Sequence, residues 1–297
     1  MRVKLLAAIA LSLCVTQPAR AQSQFQVFAS VVDAAGTPVT ALALTDLRVQ
    51  EGGVEARVVS VEPINWPVKL QLLVDNGPGL GGPNLQILRD GMRGLLNALP
   101  EGVEVTIVTT APQPRFLVRA TTDRKALIDG IGRVSPDESG SRFVESLQEA
   151  TQRIERDKTD HFPVIVSVTS GVGDFDVLER DVNRIFERLR RRPMTVHVVL
   201  LSMTRGGALI GANQTQVGMA VTEYTRGRYE NIAAATRLNS LLPELGQQVA
   251  AGHEKQSHQF RLTVERPAGV KGDVGQVSAG ARPGLVLRGL SMDGRHD

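Results

Sequence analysis

Apolar and polar residues alternate at the two ends of the chain. From residue 25 to about residue 63 the apolar positions recur with a period of two, interrupted by turn sequences rich in glycine and aspartate. This pattern is typical of short antiparallel strands. The same period returns after His258, at residues 260–264, 274–277 and 285–287. We therefore predict that both ends of the chain pack together as one small β-sandwich-like module.

The middle of the chain consists of apolar runs separated by amphipathic segments. The runs predict strands at residues 68–74, 103–108, 116–118, 162–168, 195–201 and 228–230. Apolar residues at helical spacing predict helices at residues 83–99, 122–131, 143–158, 177–191, 217–224 and 236–251. Buried strands that alternate with helices are typical of a mostly parallel sheet covered on both faces. The predicted fold class is α/β, with a doubly wound sheet inserted between the two β segments.

The first residues predict export. Arg2 and Lys4 precede an apolar run at residues 5–15, and Ala19-Arg20-Ala21 has the small-x-small pattern that a signal peptidase cleaves. The run is shorter than the roughly 20 residues that span a bilayer as a helix. We expect cleavage after Ala21 and a periplasmic or secreted mature chain.

An alternative processing route uses Cys14 as the lipid-bearing residue of a lipoprotein. The large Leu13 before this cysteine suits lipoprotein processing poorly. The predicted division is therefore a signal peptide at residues 1–21, an N-terminal β segment at 22–66, an α/β domain at 67–254, and a C-terminal β segment at 255–297 that packs with the first.

Removal of the signal peptide changes the composition. Of 34 basic residues, three lie in the signal peptide, which has no acidic residue, so 31 basic residues face 31 acidic ones in the mature chain. A neutral chain does not favour a nucleic-acid partner. Cys14 is the only cysteine, so the mature protein has no disulfide and no thiol ligand. No later segment is apolar enough to span a membrane.

A carboxylate follows the first apolar strand of the middle region, in Asp75-Asn76-Gly77-Pro78-Gly79. In doubly wound folds, ligands bind at the carboxyl ends of the strands. Three further motifs accompany the Asp75 motif: Gly140-Ser141 before a helix, Val-Thr-Ser-Gly at residues 168–171, and Thr-Arg-Gly-Arg-Tyr at residues 225–229. Taken together, these motifs resemble the von Willebrand factor A family. The flanks at residues 31–52 and 282–288 are similar to those of its secreted bacterial members, so the resemblance covers most of the mature chain.

The resemblance implies a metal-ion-dependent adhesion site that holds Mg²⁺ through oxygen ligands. Asp75 matches its first aspartate, Gly77 and Gly79 match its two serines, Ser141 matches its threonine, and Ser170 matches its second aspartate. The glycines carry no side-chain oxygen, and Ser170 carries no charge. We therefore predict a degenerate site without a cofactor. The alternative is a magnesium site held by Asp75, Ser141 and Ser170.

These residues lead to a functional hypothesis. We predict a non-enzymatic module that binds a protein partner, through loops that contain Asp75, Asn76, Gly77, Gly79, Ser141, Thr169 and Ser170. A metal-dependent adhesion module is the nearest alternative. Asp174 and Asp176 are interpreted as solvated loop acids that are able in principle to replace the lost charge. Asp75 also has a structural interpretation, because a strand-end aspartate often accepts hydrogen bonds from the following turn.

A third alternative is an enzyme or dinucleotide binder. The turn from Gly77 to Gly82 matches the glycine pattern of dinucleotide-binding folds. Such a site also needs an acidic residue after the next strand, but that strand ends in Thr109-Thr110. The five histidines are scattered without the spacing of a metal site or catalytic triad.

Overall fold

Two six-stranded sheets dominate the structure, a computed structural model that describes residues 23–174, 176–205, 208–270 and 272–292. The predicted signal peptide at residues 1–21 lies outside the described residues. The strands are β1 Gln24–Asp33, β2 Leu47–Glu51, β3 Val54–Pro63, β4 Val68–Val74, β5 Glu104–Thr109, β6 Arg115–Thr121, β7 Phe162–Ser170, β8 Thr195–Leu201, β9 Met203–Arg205, β10 Ala208–Ile210, β11 Tyr229–Ile232, β12 Gln259–Glu265, β13 Val277–Ala281 and β14 Leu285–Met292.

The central sheet has the strand order β11-β8-β7-β4-β5-β6. Five strands are parallel, and only the edge strand β6 is antiparallel to its neighbour β5. From β4 the chain first builds the sheet in one direction, through β5 and β6, and then in the other, through β7, β8 and β11. The order therefore reverses between β4 and β7, and the carboxyl ends of these two strands form the switch point where doubly wound folds bind ligands.

In the described part of the chain, six helices cover this sheet: α1 Leu85–Ala98, α2 Arg124–Gly132, α3 Phe143–Arg156, α4 Glu179–Arg191, α5 Ala212–Thr225 and α6 Leu238–Ser257. Helices α1, α2 and α6 share one apolar core with one face of the sheet, and α3, α4 and α5 share a second core with the other. Glycines allow α1 and α6 to approach closely, since a Cβ on Gly246 would lie 2.7 Å from the Leu95 carbonyl oxygen.

The second sheet joins the two ends of the chain. Its strands are all antiparallel, in the order β13-β2-β3-β12-β1-β14. The edge strands β13 and β14 contact each other, so the sheet curls around an apolar core of its own. The buried Glu51 carboxylate pairs with Arg266, whose Nε lies 3.0 Å from Glu51 Oε2. This ion pair ties the β2–β3 hairpin to the chain that leaves β12.

Trp66 lies at the junction of the two sheets. Its ring contacts Phe28 of β1 and Phe162 of β7, with ring centroids 5.3 Å apart in both pairs. The Trp66 carbonyl oxygen lies 2.9 Å from Nε2 of His253 in α6. Side chains from both parts of the molecule therefore pack against one residue of the connecting segment.

The predicted fold class is confirmed: a mostly parallel, doubly wound sheet is accompanied by a second sheet of antiparallel strands from both ends of the chain. The predicted domain boundaries stay predictions. Asp123 caps α2, since its side chain accepts hydrogen bonds from the Lys125 and Ala126 amides. The β9–β10 hairpin was not predicted, because its strands have only three residues each. Within the described residues, every helix is too short or too polar to cross a bilayer.

Candidate functional site

The predicted site residues meet at the switch point of the central sheet. Asp75 follows β4 directly, and Ser170 is the last residue of β7. Ser141 lies two residues before α3 and forms an isolated parallel bridge with Gly173 in the loop after β7. The parallel arrangement of the strands explains this convergence, because their carboxyl ends lie at one edge of the sheet.

The Asp75 carboxylate is fully buried, and protein donors bind both of its oxygens. Oδ1 accepts a hydrogen bond from the Gly77 amide at 2.7 Å. Oδ2 accepts one from the Ser170 amide at 2.9 Å and one from the Ser170 hydroxyl at 2.6 Å. Burial raises the pKa of Asp75 above its ordinary value, although the hydrogen bonds from Ser170 and Gly77 oppose this rise. The carboxylate therefore serves as the acceptor that joins β4, its following turn and β7.

The two glycines of the turn have no room for a side chain. A Cβ on Gly79 would lie 2.4 Å from both Cβ and Oγ of Ser170, and a Cβ on Gly77 would lie 2.7 Å from the Ser139 carbonyl oxygen. Both distances are shorter than real Cβ contacts. Ser170 thus fills the space that a serine at position 79 would need, and its hydroxyl already bonds to Asp75.

Ser141 belongs to a layer of buried hydroxyl groups beside Asp75. Its Oγ lies 2.9 Å from Thr110 Oγ1 and 3.4 Å from Thr169 Oγ1. The three side chains are almost completely buried. Because a hydroxyl both donates and accepts hydrogen bonds, each of these groups is able to serve as a partner of the next. The predicted Ser141 and Thr169 are therefore joined by Thr110, which the sequence analysis did not select.

Asp174 differs from its interpretation as a solvated loop acid. It is buried, whereas Asp176 is exposed. Asp174 Oδ2 accepts a hydrogen bond from the Phe143 amide at 2.9 Å, and Oδ1 accepts one from the Val144 amide at 3.3 Å. A carboxylate at this place satisfies free amides at the start of α3 and interacts favourably with the helix dipole.

Burial raises the pKa of Asp174 to about 6 from an ordinary value of 3.8. The two α3 amides and Arg142 oppose this rise, whereas the negative charge of Asp75 adds to it. Asp174 has a positive φ of 53°, a conformation that aspartate tolerates better than most residues. A sequence signal was available, because an acidic residue after a strand end is able to reach the start of a neighbouring helix.

The residues at this site do not fit a magnesium ion. Mg²⁺ requires near-octahedral oxygen ligands and gives up its waters reluctantly. Both oxygens of Asp75 are occupied by protein donors, and Ser141 bonds to other hydroxyls. Neither glycine position accepts a serine without rearrangement. Among the described residues, no group of three or more His, Cys, Asp or Glu side chains is arranged to hold a metal.

The glycine-rich turn uses several of its amides internally. The Leu80 and Gly81 amides donate to the Gly77 carbonyl oxygen at 3.2 and 2.7 Å, and the Gly77 amide donates to Asp75. A short 3-10 turn, Gly82–Asn84, separates these residues from α1. A dinucleotide site instead directs free amides at a pyrophosphate from the start of the helix. The geometry of the turn thus does not favour that alternative.

The seven predicted partner-binding residues are brought together, but all are buried. Asn76, for example, donates from Nδ2 to the Ser135 carbonyl oxygen at 2.9 Å and accepts from the Ala111 amide at 3.2 Å. Their role in binding a partner stays a prediction. The exposed residues of the same loops include Pro78, Pro136, Glu138, Ser139 and Arg142. A partner at this end of the sheet would contact these residues first, above a rigid buried layer.

Comparisons with known proteins agree with this fold. Residues 70–172 match the sequence model of the von Willebrand factor type A domain. The fold is similar to a solved von Willebrand factor type A protein from Catenulispora acidiphila, with a TM-score of 0.53 and 11% identity over 92% of this chain and 74% of that one. The sequence matches none of the curated proteins with which it was compared.

A second similar structure is the pilus adhesin SpaC from Lactobacillus rhamnosus GG in an open conformation. The TM-score is 0.52, at 11% identity, over 82% of this chain and 46% of that one. Identities this low show similarity of fold alone. The sequence match identifies a von Willebrand factor type A domain at residues 70–172.

The occlusion at Gly79 leads to a first prediction. We expect Gly79→Ala to lower the free energy of unfolding by about 2 kcal/mol or more, because the new methyl group would overlap Ser170. Gly102→Ala is the matched control, since a Cβ there has no neighbour within 4 Å. Urea unfolding of both variants measures the difference. Equal stabilities would contradict the prediction, because they would show that the loop around Ser170 moves to accommodate the methyl group without a loss of stability.

A second prediction concerns Asp174. Its folded pKa of about 6 exceeds the ordinary 3.8, so ionisation opposes folding, and stability falls as pH rises from about 4 to about 6. Asp174→Asn removes this ionisation. As the pH rises across that range, we expect the unfolding free energy of the wild type to fall by about 1–3 kcal/mol relative to that of the variant.

Thermal and urea unfolding between pH 4 and pH 7 provide the measurement. The control is Asp176→Asn, at the exposed position two residues further along the same loop. Parallel pH profiles for Asp174→Asn and wild type would contradict the raised pKa of Asp174.

Proposed function

We propose that this chain is an exported, non-enzymatic protein-interaction module whose von Willebrand factor type A domain acts without a metal ion. The observation that carries the metal-free part is the complete set of protein donors around the Asp75 carboxylate. In the adhesion site that the resemblance implies, the metal ion compensates this charge. Here the Ser170 hydroxyl and two amides provide the compensation.

The binding surface we propose is formed by the exposed loop residues above the buried site. Pro78 lies on the loop after β4, and Pro136, Ser139 and Arg142 lie on the loop before α3. The Asp75–Ser170 and Ser141–Thr110 contacts hold these two loops in place. A pre-organised surface loses little conformational entropy when a partner binds. Recognition through such loops depends on shape, backbone groups and Arg142, and not on coordination of a partner's carboxylate by Mg²⁺.

Two further observations support the other parts of the proposal. The signal-peptide pattern at residues 1–21 supports export, and a pilus adhesin is among the proteins of similar fold. The absence of enzymatic activity is supported by the site chemistry, since the clustered groups at the switch point are the buried carboxylates of Asp75 and Asp174 and several mutually bonded hydroxyls. None of these hydroxyls is hydrogen-bonded to a histidine base in the described part of the chain, as nucleophilic catalysis by serine requires.

Thermal unfolding tests the metal-free mechanism. A ligand that binds only the native state raises the unfolding temperature with its concentration. We expect the midpoint in EDTA to equal the midpoint at millimolar Mg²⁺ or Mn²⁺. A saturable rise that Asp75→Ala abolishes would mean that the site binds metal, and would overturn the mechanism.

Photo-crosslinking tests the proposed surface. A benzophenone amino acid is introduced at Ser139, on the loop surface, or at Ser278, an exposed control position on β13. The exported fraction of the producing cells is then irradiated. Export itself is checked by N-terminal sequencing of the purified protein, which we expect to begin at Gln22. We expect one discrete adduct from position 139, equally in EDTA and in Mg²⁺. Adducts from both positions, from neither, or only with Mg²⁺ would refute the proposal.

A further inference from the structure

The central sheet is less covered by helices near its β6 edge than elsewhere on the same face. On the face that carries α3, α4 and α5, helix α3 packs against β4 and β7. Beyond α3 the sheet continues through β5 to the edge strand β6. An open groove of about 370 Å³ lies there, between the amino ends of β4 and β5, strand β6 and the last turns of α3.

An exposed aromatic ring forms one wall of the groove. Phe116 of β6 is 43% exposed, which is unusual for a phenylalanine in a strand of the main sheet. The guanidinium carbon of Arg119 lies 4.9 Å from the ring centroid, and that of Arg153 lies 5.0 Å from it. Both separations are within the range of cation–π attraction. Two cations therefore hold the Phe116 ring at the surface.

The Arg153 guanidinium is fixed in position. Its Nε donates to Gln71 Oε1 at 3.0 Å, and Nη1 donates to Glu149 Oε2 at 3.1 Å. Its Nη2 is buried and has no hydrogen-bond partner. Because the Arg153 side chain is anchored on the sheet and on α3, the Phe116 platform is rigid before any partner arrives.

The charges around the groove leave an excess of positive charge on β6. The carboxylates of Glu104 and Asp157 both pair with Lys69, at 3.6 and 2.8 Å. On β6, Arg115 and Arg119 are exposed, and in the described part of the chain neither forms an ion pair. The groove thus has the Arg119 guanidinium, without an acidic partner among the described residues, beside an aromatic ring. Its carboxylates Glu104 and Asp157 share the cation of Lys69, and the exposed Arg115 adds positive charge on the same strand as Arg119.

We propose that this groove, which we call the β6 groove, is a second binding surface, for a peptide segment of a partner protein that carries acidic residues next to apolar ones. A carboxylate bonds to Arg119, whose planar guanidinium suits a bidentate contact. Neighbouring apolar side chains pack on the two exposed apolar residues of the groove, Phe116 and Ala120.

Charge complementarity favours this occupant over a second copy of the chain. Pairing two β6 strands edge to edge in antiparallel order would bring Arg115 and Arg119 of one copy close to the same arginines of the other, and like charges on paired strands destabilise a sheet. The exposed Phe116 ring in turn favours a peptide over a polyphosphate, which has no aliphatic groups to pack on it.

The β6 groove is separate from the loop surface above Asp75. Lys69 and Glu104 lie at the amino ends of β4 and β5, whereas Asp75 follows the carboxyl end of β4. A failure of the loop surface to bind a partner therefore does not affect the test of the β6 groove, and the reverse also holds.

Fluorescence anisotropy with a defined probe provides the test. The probe is a fluorescein-labelled octapeptide of alternating glutamate and leucine, and its control peptide has glutamine in place of glutamate. We expect saturable binding of the glutamate peptide to the full mature chain and weak or no binding of the glutamine peptide. Arg119→Glu should weaken binding by about tenfold or more, and Phe116→Ser by about fivefold.

The matched control variant is Arg48→Glu, which makes the same charge change at an exposed strand arginine of the other sheet. Its affinity should stay within about twofold of wild type. Circular dichroism and thermal unfolding establish that all three variants fold, which the exposure of the replaced side chains favours.

Four results would overturn the proposal: no binding at millimolar peptide, equal binding of both peptides, equal losses in Arg48→Glu and Arg119→Glu, or no loss in Phe116→Ser. Light scattering distinguishes the other occupant. A dimer that Phe116→Ser dissociates would identify a second copy of the chain in the β6 groove, and would also overturn the peptide proposal.

Discussion

The burial of one carboxylate organises the switch-point end of the central sheet. Asp75 has no contact with solvent, and a buried carboxylate is stable only when hydrogen bonds or an opposite charge compensate its lost hydration. Ser170 and Gly77 provide three donors. The turn after β4 and the end of β7 must therefore keep their places, and so must the glycine at position 79, which leaves space for Ser170.

The same constraint separates this site from the adhesion site that the family resemblance implies. A metal ion and a serine hydroxyl compensate a carboxylate in different ways, because the ion attracts further ligands from a partner while the hydroxyl completes an internal network. Around Asp75 the internal network is complete, and it continues into the Ser141–Thr110 hydroxyl pair. A site of this kind acts as a rigid support for the loops above it, which is the basis of the function we propose.

The second sheet gives the domain a base at which both ends of the chain meet. Strands β1 and β3 flank β12 in an antiparallel sheet, so the α/β domain is held at both of its ends, and Trp66 packs against both sheets. The loop surface and the β6 groove then occupy different parts of one framework. The arrangement suits a module that contacts more than one segment of a partner.

The sequence by itself determined the fold class, since the change from a period of two to apolar runs with amphipathic helices reports local burial. It also located Asp75, Ser141 and Ser170 at the ends of strands or before a helix. Only the tertiary structure decided how these residues are used. Thr110 and Asp174 entered the site through contacts between segments distant in sequence, with Ser141 and with the amides at the start of α3. Burial of Asp174 and exposure of Phe116 depend on which helices cover which strands, and local sequence patterns do not encode that coverage.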